Sequence, residues 1–262
     1  MIAPRVTLED VRAFEWPFRL RLPFRFGVIT VTHGRQAVIV ARVRLQDGRV
    51  AEGMAAETLA AKWFDKDPTL TDDQNEHQLR RAIEIARNVY LAAGPRTPFA
   101  LSADSYAAIL AEAAAERLPP LVAGFGPALL DRAILDAVLR AQDLSFTAGM
   151  RANVAGMAPH AAIADLGGFD WNGFLAALTP RHRIAARHTV GLVDPITASD
   201  QPAGARVEDG LPETLEEVCD AYRHTYFKLK VGGDVAADVD RLCRIASVLD
   251  RAAPGYRATL DG

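Results

Sequence analysis

The stretch Phe227-Lys228-Leu229-Lys230-Val231-Gly232-Gly233 alternates strictly between apolar and basic side chains before it ends in two glycines. A strand points successive side chains to opposite faces, so the two lysines share one face and the three apolar residues share the other. Helical patterns lie on both sides of this stretch, which is typical of a parallel sheet covered on both faces. Two lysines on a covered face are costly unless a negative group lies between them. The mouth of a (β/α)8 barrel offers such a place, whereas a solvent-facing strand with two solvated lysines is the alternative.

A second strand pattern follows at Tyr256-Arg257-Ala258-Thr259-Leu260-Asp261-Gly262 and ends on an aspartate. The segment between the two patterns, residues 234–252, is predicted to be a helix because its apolar residues recur every three or four positions. That apolar stripe comprises Val235, Val239, Leu242, Ala246 and Leu249. Strand, helix and strand in this order predict a βαβ unit, which would bring Asp261 to the same edge of the sheet as the lysines.

These motifs together resemble the enolase superfamily, in its mandelate racemase and muconate lactonizing branch. The resemblance rests on the Lys-x-Lys strand, the helix after it, and the next strand ending in Leu260-Asp261-Gly262. It implies that Lys230 is the catalytic base, that Lys228 lies beside it and contacts the substrate carboxylate, and that Asp261 is the first ligand of a catalytic Mg2+. The implied reaction is abstraction of the proton alpha to the carboxylate of a small substrate through an ene-diolate intermediate. A racemase, epimerase, cycloisomerase or dehydratase would use this chemistry, and the full-length protein is expected to be a homo-oligomer.

The N-terminal residues 5–57 are predicted to form an antiparallel sheet. Its clearest strand is residues 36–45, followed by an Asp47-Gly48 hairpin turn and a return strand at residues 50–54. Pro17 and Pro23 are expected to interrupt the first strand, since proline is confined to strand edges and ends. The apolar connection from Leu22 to His33 is expected, by the resemblance, to close over the active site as a lid.

Helices are predicted for most of residues 72–146. Ser102 is predicted to cap one of them, and residues 127–142 give the strongest helical pattern. Asp131 and Asp136 on that helix are interpreted as a solvated face rather than a catalytic pair. The tripeptide Gly124-Phe125-Gly126 before it is interpreted as a turn, because no strand or complete glycine motif supports a nucleotide site.

The overall prediction is an α+β capping domain, an antiparallel sheet plus helices, followed by the start of an α/β (β/α)8-type barrel. Residues 1–187 would be the capping domain with a connecting segment, and residues 188–262 would be the first three barrel strands. Those strands are predicted at residues 189–193, 227–231 and 256–261. The resemblance places the remaining strands, two further carboxylate ligands and an opposite-face base beyond Gly262, so the 262-residue chain is interpreted as truncated and expected to be inactive.

Composition excludes several other classes of function. The 30 basic and 33 acidic residues nearly balance, which argues against a nucleic acid as partner. No apolar run long enough for a signal peptide or a membrane span is found, so a cytoplasmic protein without a membrane partner is predicted. Cys219 and Cys243 are expected to pack in helices, and the six histidines, which lack ligand spacing, are expected at the surface or in loops. Trp63-Phe64 could line a pocket, although core packing explains this pair equally well.

Two other functions are compatible with the sequence. Lys228 or Lys230 could form a Schiff base with a carbonyl substrate, which would need no metal ion. Alternatively, the chain could be a catalytically incomplete interaction module, because a half-built parallel sheet leaves an open edge for pairing.

Overall fold

The structure, a computed structural model, describes residues 3–26 and 29–262. The described chain forms two compact units. The first contains the residues up to Pro17 together with those from Gly34 to Pro180, and the second contains the described residues between Phe18 and His33 together with Arg181 to Gly262. The end of the first strand and the start of the second therefore belong to the second unit, although they lie early in the sequence.

A three-stranded sheet begins the chain. Its strands are β1 (Val6–Phe26), β2 (Ile29–Leu45) and β3 (Val50–Thr58), in the order β1-β2-β3. Strands β2 and β3 pair antiparallel, with Arg44 opposite Val50 across the predicted turn, where Gly48 has a φ of 88°. The predicted interruption of the first strand is wrong, because β1 runs through Pro17 and Pro23. As an outer strand, β1 tolerates residues that lack a backbone N–H.

Seven helices in the described residues belong to the first unit: α1 (Ala61–Phe64), α2 (Asp72–Ala92), α3 (Pro98–Ala115), α4 (Pro120–Ala123), α5 (Phe125–Ala141), α6 (Phe146–Arg151) and α7 (Trp171–Ala176). A 3-10 turn, Ala161–Leu166, precedes α7. Alternate residues of β2 are buried in one core with α2, α3 and α5. At Gly53 in β3, an added Cβ would lie 2.1 Å from the backbone nitrogen of Ala137 in α5. Only glycine allows this strand and helix to pack so closely.

Two expectations about these helices are wrong. Helix α3 begins at Pro98, and the hydroxyl of Thr97 caps it by accepting from Ala100 N at 3.2 Å, so Ser102 lies within the helix. Gly126 lies inside α5 rather than in a turn, and a Cβ there would be 2.1 Å from the carbonyl oxygen of Ala82 in α2. A glycine that permits two helices to touch looks the same in the sequence as a turn glycine.

Asp131 of α5 lies in the interior instead of on a solvated face. Its two carboxylate oxygens accept hydrogen bonds from the Tyr90 hydroxyl at 2.7 Å and the Ser102 hydroxyl at 2.8 Å. Burial raises the pKa of Asp131 above its usual value. The solvated interpretation is therefore wrong for Asp131, whereas Asp136 lies nearer the surface and accepts from Met54 N and Arg140 Nε.

The second unit contains a parallel sheet with helices on one face. Its strands are β4 (Arg187–Val190), β5 (Tyr226–Lys230) and β6 (Arg257–Asp261), in the order β4-β5-β6. Its helices are α8 (Leu215–Tyr222) and α9 (Val235–Ala252), and a 3-10 turn lies at Ala198–Asp200. Thr214 caps α8 reciprocally with Glu217. The predicted fold class is confirmed: an antiparallel α+β part is followed by the start of a parallel α/β barrel.

The predicted stripe on α9 is only partly right. Leu249 is buried and Leu242 packs against the core, but Val235 and Val239 are 75% and 53% exposed, and the buried residues Ile245 and Val248 were not in the stripe. A helix of 18 residues is about 27 Å long, while a strand of five residues spans about 17 Å. Helix α9 is therefore longer than the strands that it covers. Among the described residues, no helix is long and apolar enough to cross a membrane.

Candidate active site

The alternation in β5 separates a core face from a polar face. Phe227 and Leu229 are 0% and 5% exposed and pack with the buried residues of α8 and α9. Lys228 and Lys230 lie on the opposite face, where Lys228 pairs in register with Thr189 of β4 and Thr259 of β6. The expectation that the apolar strand residues pack against helices while the lysines share the other face is confirmed for Phe227 and Leu229, whereas Val231 follows the end of β5 and is half-buried.

Asp261 holds both lysines. It lies opposite Lys230 in the register of β5 and β6, at the carboxyl ends of these parallel strands. The ammonium nitrogen of Lys228 lies 2.8 Å from Asp261 Oδ2, and that of Lys230 contacts the same oxygen. Hydrogen bonds from Lys228 and then Lys230 lower the pKa of Asp261 to about 2. The three residues that the sequence singled out therefore form one cluster, and its carboxylate is ionised at neutral pH.

The turn after β5 is fixed by the helix that follows it. The carboxylate of Asp238 in α9 accepts from Gly232 N at 2.8 Å and Gly233 N at 2.9 Å. Gly233 has a φ of 96°, a conformation that side chains with a Cβ rarely adopt. Asp234 then caps α9 by accepting from the first backbone N–H groups of that helix. The glycines and acids after the Lys-x-Lys strand thus set where β5 ends and where α9 begins.

Positive charge dominates the polar face of the sheet. Arg187 and Arg257 lie on this face with the two lysines. Both pair in register with Tyr226, which is two residues before Lys228 and therefore on the same face of the sheet. Arg187 donates to the Thr259 hydroxyl at 3.3 Å, and the Arg257 guanidinium lies over the Tyr226 ring at 5.8 Å. Four cations share this face with the Asp261 carboxylate. Such a face attracts small anions such as carboxylates.

Asp261 fits magnesium as one ligand among several. Its carboxylate supplies the hard oxygen that Mg2+ prefers, but this ion needs near-octahedral oxygen coordination. Within residues 3–26 and 29–262, no group of three or more His, Cys, Asp or Glu side chains could hold a metal ion. The described residues therefore do not make a complete magnesium site, although Asp261 has the right chemistry for one of its ligands.

Solved structures provide the comparison. An enolase from the alpha proteobacterium bal199 with bound magnesium matches over 98% of this chain and 55% of its own, at 16% identity and a TM-score of 0.54. A mandelate racemase/muconate lactonizing enzyme-like protein from Rubrobacter xylanophilus matches over 97% and 52%, at 15% identity and a TM-score of 0.53. An enolase from Bradyrhizobium complexed with magnesium and mandelic acid matches over 98% and 54%, at 16% identity and a TM-score of 0.50. No protein family model and no curated protein matches the chain.

The chain shares the fold of these mandelate racemase/muconate lactonizing enzyme-like structures. It spans about half the length of the solved structures that it matches. At these identities the likeness is one of fold, so the activity, the substrate and the metal ion are matters for proposal.

The lid expected from the resemblance to the mandelate racemase branch stays a prediction. The described residues between Leu22 and His33 belong to β1 and β2, and Gly27 and Val28 lie outside the described residues. Arg21, just before this segment, binds the Asp209 carboxylate at 2.5 Å and the carbonyl oxygens of Leu211 and Pro212. These contacts tie Arg21 to the loop before α8.

His188 is a residue whose position the sequence interpretation missed. It lies in β4 rather than in a loop, is half-buried, and stacks on His224 with the ring centres 5.8 Å apart. It also meets the edge of the Phe227 ring, on the core side of the sheet. Burial lowers the pKa of His188, so its imidazole is neutral at neutral pH. Its position directly before the Thr189-Val190 pattern was the signal that could have placed it in the strand.

Other expected side-chain roles are simpler. Cys219 is buried in the helix packing of α8, as expected, while Cys243 is exposed. Phe64 packs edge-on against Phe125 with ring centres 5.0 Å apart, which favours the core interpretation of this residue. Its neighbour Trp63 is about half exposed.

Proposed function

We propose that the chain carries part of a Mg2+-dependent site that removes the proton alpha to a carboxylate through an ene-diolate intermediate. The observation that carries this proposal is the cluster of Lys228, Lys230 and Asp261 at the carboxyl ends of adjacent parallel strands. Active sites of α/β barrels lie at that end of the strands. A racemase, epimerase, cycloisomerase or dehydratase would begin with this step.

In this proposal Lys230 is the base and Lys228 is its electrostatic neighbour. Lys230 is the more shielded of the two, with 11% of its side chain exposed against 23% for Lys228. Both ammonium groups contact one oxygen of Asp261, so loss of a proton from Lys230 leaves an intact ion pair between Lys228 and Asp261. A neutral lysine amine can then accept the substrate proton. Lysine bases with one or two Mg2+ ions are a known arrangement in the enolase superfamily.

The substrate is proposed to be a small carboxylate. The cationic face around the lysines supports this choice, because its charges attract an anion and stabilise the charge that develops on proton removal. A bound Mg2+, with Asp261 as one ligand, would stabilise the ene-diolate as a Lewis acid. In this proposal Lys228 contacts one carboxylate oxygen of the substrate, and Lys230 removes the proton from the alpha carbon.

Hydrogen exchange at the alpha carbon tests the proposal. A longer protein in which further strands supply the remaining oxygen ligands should exchange the alpha proton of its substrate with deuterium from D2O when Mg2+ is present. Chelation should abolish exchange, and Lys230→Ala should slow it by about 10²- to 10⁴-fold, the usual contribution of a general base. The 262 residues alone are expected not to exchange, because one carboxylate holds Mg2+ poorly.

The Schiff-base alternative is favoured by the shielding of the Lys230 side chain, which is 11% exposed. Borohydride reduction in the presence of a carbonyl substrate distinguishes the two functions. A covalent adduct on Lys228 or Lys230 that forms with chelator present would favour the Schiff base. Absence of an adduct together with metal-dependent exchange would favour the Mg2+ site.

An interaction module is the remaining candidate, and the exposed sheet residue Leu260 favours it. Leu260 is 61% exposed on β6, the outer strand of the parallel sheet. Such an edge can pair with another chain. Sedimentation of the 262-residue chain with and without Leu260→Lys tests this function, since a pairing edge should lose association in the variant. A cytoplasmic location and a homo-oligomeric full-length protein remain part of the main proposal.

A further inference from the structure

A cavity of about 670 Å³ lies in the second unit, away from the lysine cluster. Its walls come from the Arg21–Phe24 segment, from the loop between β4 and α8, and from α8 itself. Small-molecule sites are typically concave spaces of about 300–1,000 Å³ with mostly apolar walls and a few polar groups. The cavity has the size and the composition of such a site.

The cavity and the lysines lie on opposite sides of the β4-β5-β6 sheet. His188 and Val190 form the part of its wall that comes from β4. These two residues pair in register with Phe227 and Leu229, which face the helices, whereas Lys228 pairs with Thr189. A molecule in the cavity therefore cannot be the molecule held by the lysine cluster.

The charged groups in the cavity wall disfavour an anion. Arg21 is fully engaged by Asp209 and two carbonyl oxygens. Asp194 accepts from Gly191 N, and buried Glu213 accepts from backbone N–H groups, so both acids are held in place. Hydrogen bonds lower the pKa of Glu213, which keeps it ionised. With Arg21 held by Asp209, the charged groups that the wall itself presents to a ligand are the acids Asp194 and Glu213, while Arg241 and Arg206, which interact with them, lie outside the wall.

His188 supplies a polar group that a neutral ligand could use. Its ring stacks on His224, and Tyr222, another wall residue, contacts the same His224 ring. A neutral imidazole offers one N–H donor and one nitrogen acceptor. A hydroxyl group can pair with either nitrogen, whatever the tautomer.

We propose that this cavity binds a small uncharged molecule with an apolar body and one hydroxyl group that hydrogen-bonds to His188. The apolar walls bury the body, the negative wall charge rejects carboxylates, and the imidazole selects the hydroxyl. The ligand thus differs in chemical class from the carboxylate proposed for the lysine face.

Three probes with the same ring system test this proposal: 2-naphthol, 2-naphthoate and naphthalene, titrated against the intact chain at pH 7.5 by fluorescence. We expect 2-naphthol to bind at least tenfold more tightly than 2-naphthoate, because the carboxylate meets the negative wall. Equal or tighter binding of 2-naphthoate, or no 2-naphthol binding up to millimolar concentration, would overturn the proposal.

Variants then locate the site. His188→Phe keeps a stacked ring and should weaken 2-naphthol binding about 3- to 10-fold, the value of a neutral hydrogen bond, while leaving naphthalene binding unchanged. His182→Phe, at an exposed position outside the cavity wall, is the matched control and should change neither. The side-chain NMR signals of His188 should also shift when 2-naphthol is added. Unchanged His188 signals, or equal effects of the two variants, would show that the molecule binds elsewhere.

Discussion

Replacement of Phe227 by alanine should destabilise the second unit far more than replacement of its neighbour Lys228. Phe227 is fully buried, and its ring meets the edges of His188 and Tyr256 with centroid distances of 6.3 Å and 6.2 Å. Truncation of a buried phenylalanine costs about 3–5 kcal/mol, to which the aromatic contacts contribute. The unfolding constant should therefore rise about 10²- to 4 × 10³-fold, since each 1.4 kcal/mol is a factor of ten.

Hydrogen-exchange mass spectrometry of peptides that contain residues 226–230 measures this local effect, because the two units need not unfold together. Phe227→Leu is the matched control and should retain most of the protection, as it keeps an apolar side chain of smaller volume. Lys228→Ala should change the exchange rate of these amides less than tenfold. If Lys228→Ala destabilised β5 as much as Phe227→Ala, the assignment of core and polar faces would be wrong.

Three further predictions concern stability. Asp131→Leu should cost about 2–5 kcal/mol in urea unfolding, because the buried Tyr90 hydroxyl and the partly buried Ser102 hydroxyl lose their acceptor, whereas Asp131→Asn should cost less than half as much. Burial raises the folded-state pKa of Asp131 above its unfolded value of about 4. The free energy of unfolding should therefore fall as the pH rises from about 4 through the folded-state pKa. Asp131→Asn should remove this pH dependence. The folded-state pKa of Asp261 is lowered to about 2. Its contribution to the free energy of unfolding is therefore complete above about pH 4 and is lost as the pH falls towards 2. Asp261→Asn should remove this loss of stability at acid pH.

Local patterns in the sequence predicted much of the second unit. The alternation at residues 227–231 placed the lysines and the apolar residues on the correct faces, because the period of a strand does not depend on distant contacts. The cap at Thr214 was equally predictable, since its partner Glu217 lies three residues away. The cluster of Lys228, Lys230 and Asp261 followed from the rule that parallel strands end at one edge.

Features that depend on packing between distant segments were not predictable in this way. Gly126 serves the contact between α2 and α5, and Asp131 finds its hydroxyl partners on two other helices. The cavity beside His188 needs the Arg21 segment, whose partner Asp209 is 188 residues away in sequence. No local pattern records which of many apolar segments will cover a given strand.

The most direct test of the central claim is deuterium incorporation at the alpha carbon of a carboxylate in D2O, measured by NMR with and without Mg2+. Mandelate is the first probe, because a solved structure of the same fold holds mandelic acid and magnesium. For a protein in which further strands follow Gly262, the account predicts Mg2+-dependent exchange that Lys230→Ala abolishes and Lys230→Arg does not restore. Exchange that persisted in Lys230→Ala, or that proceeded with Mg2+ chelated, would contradict the roles proposed for Lys230 and Asp261.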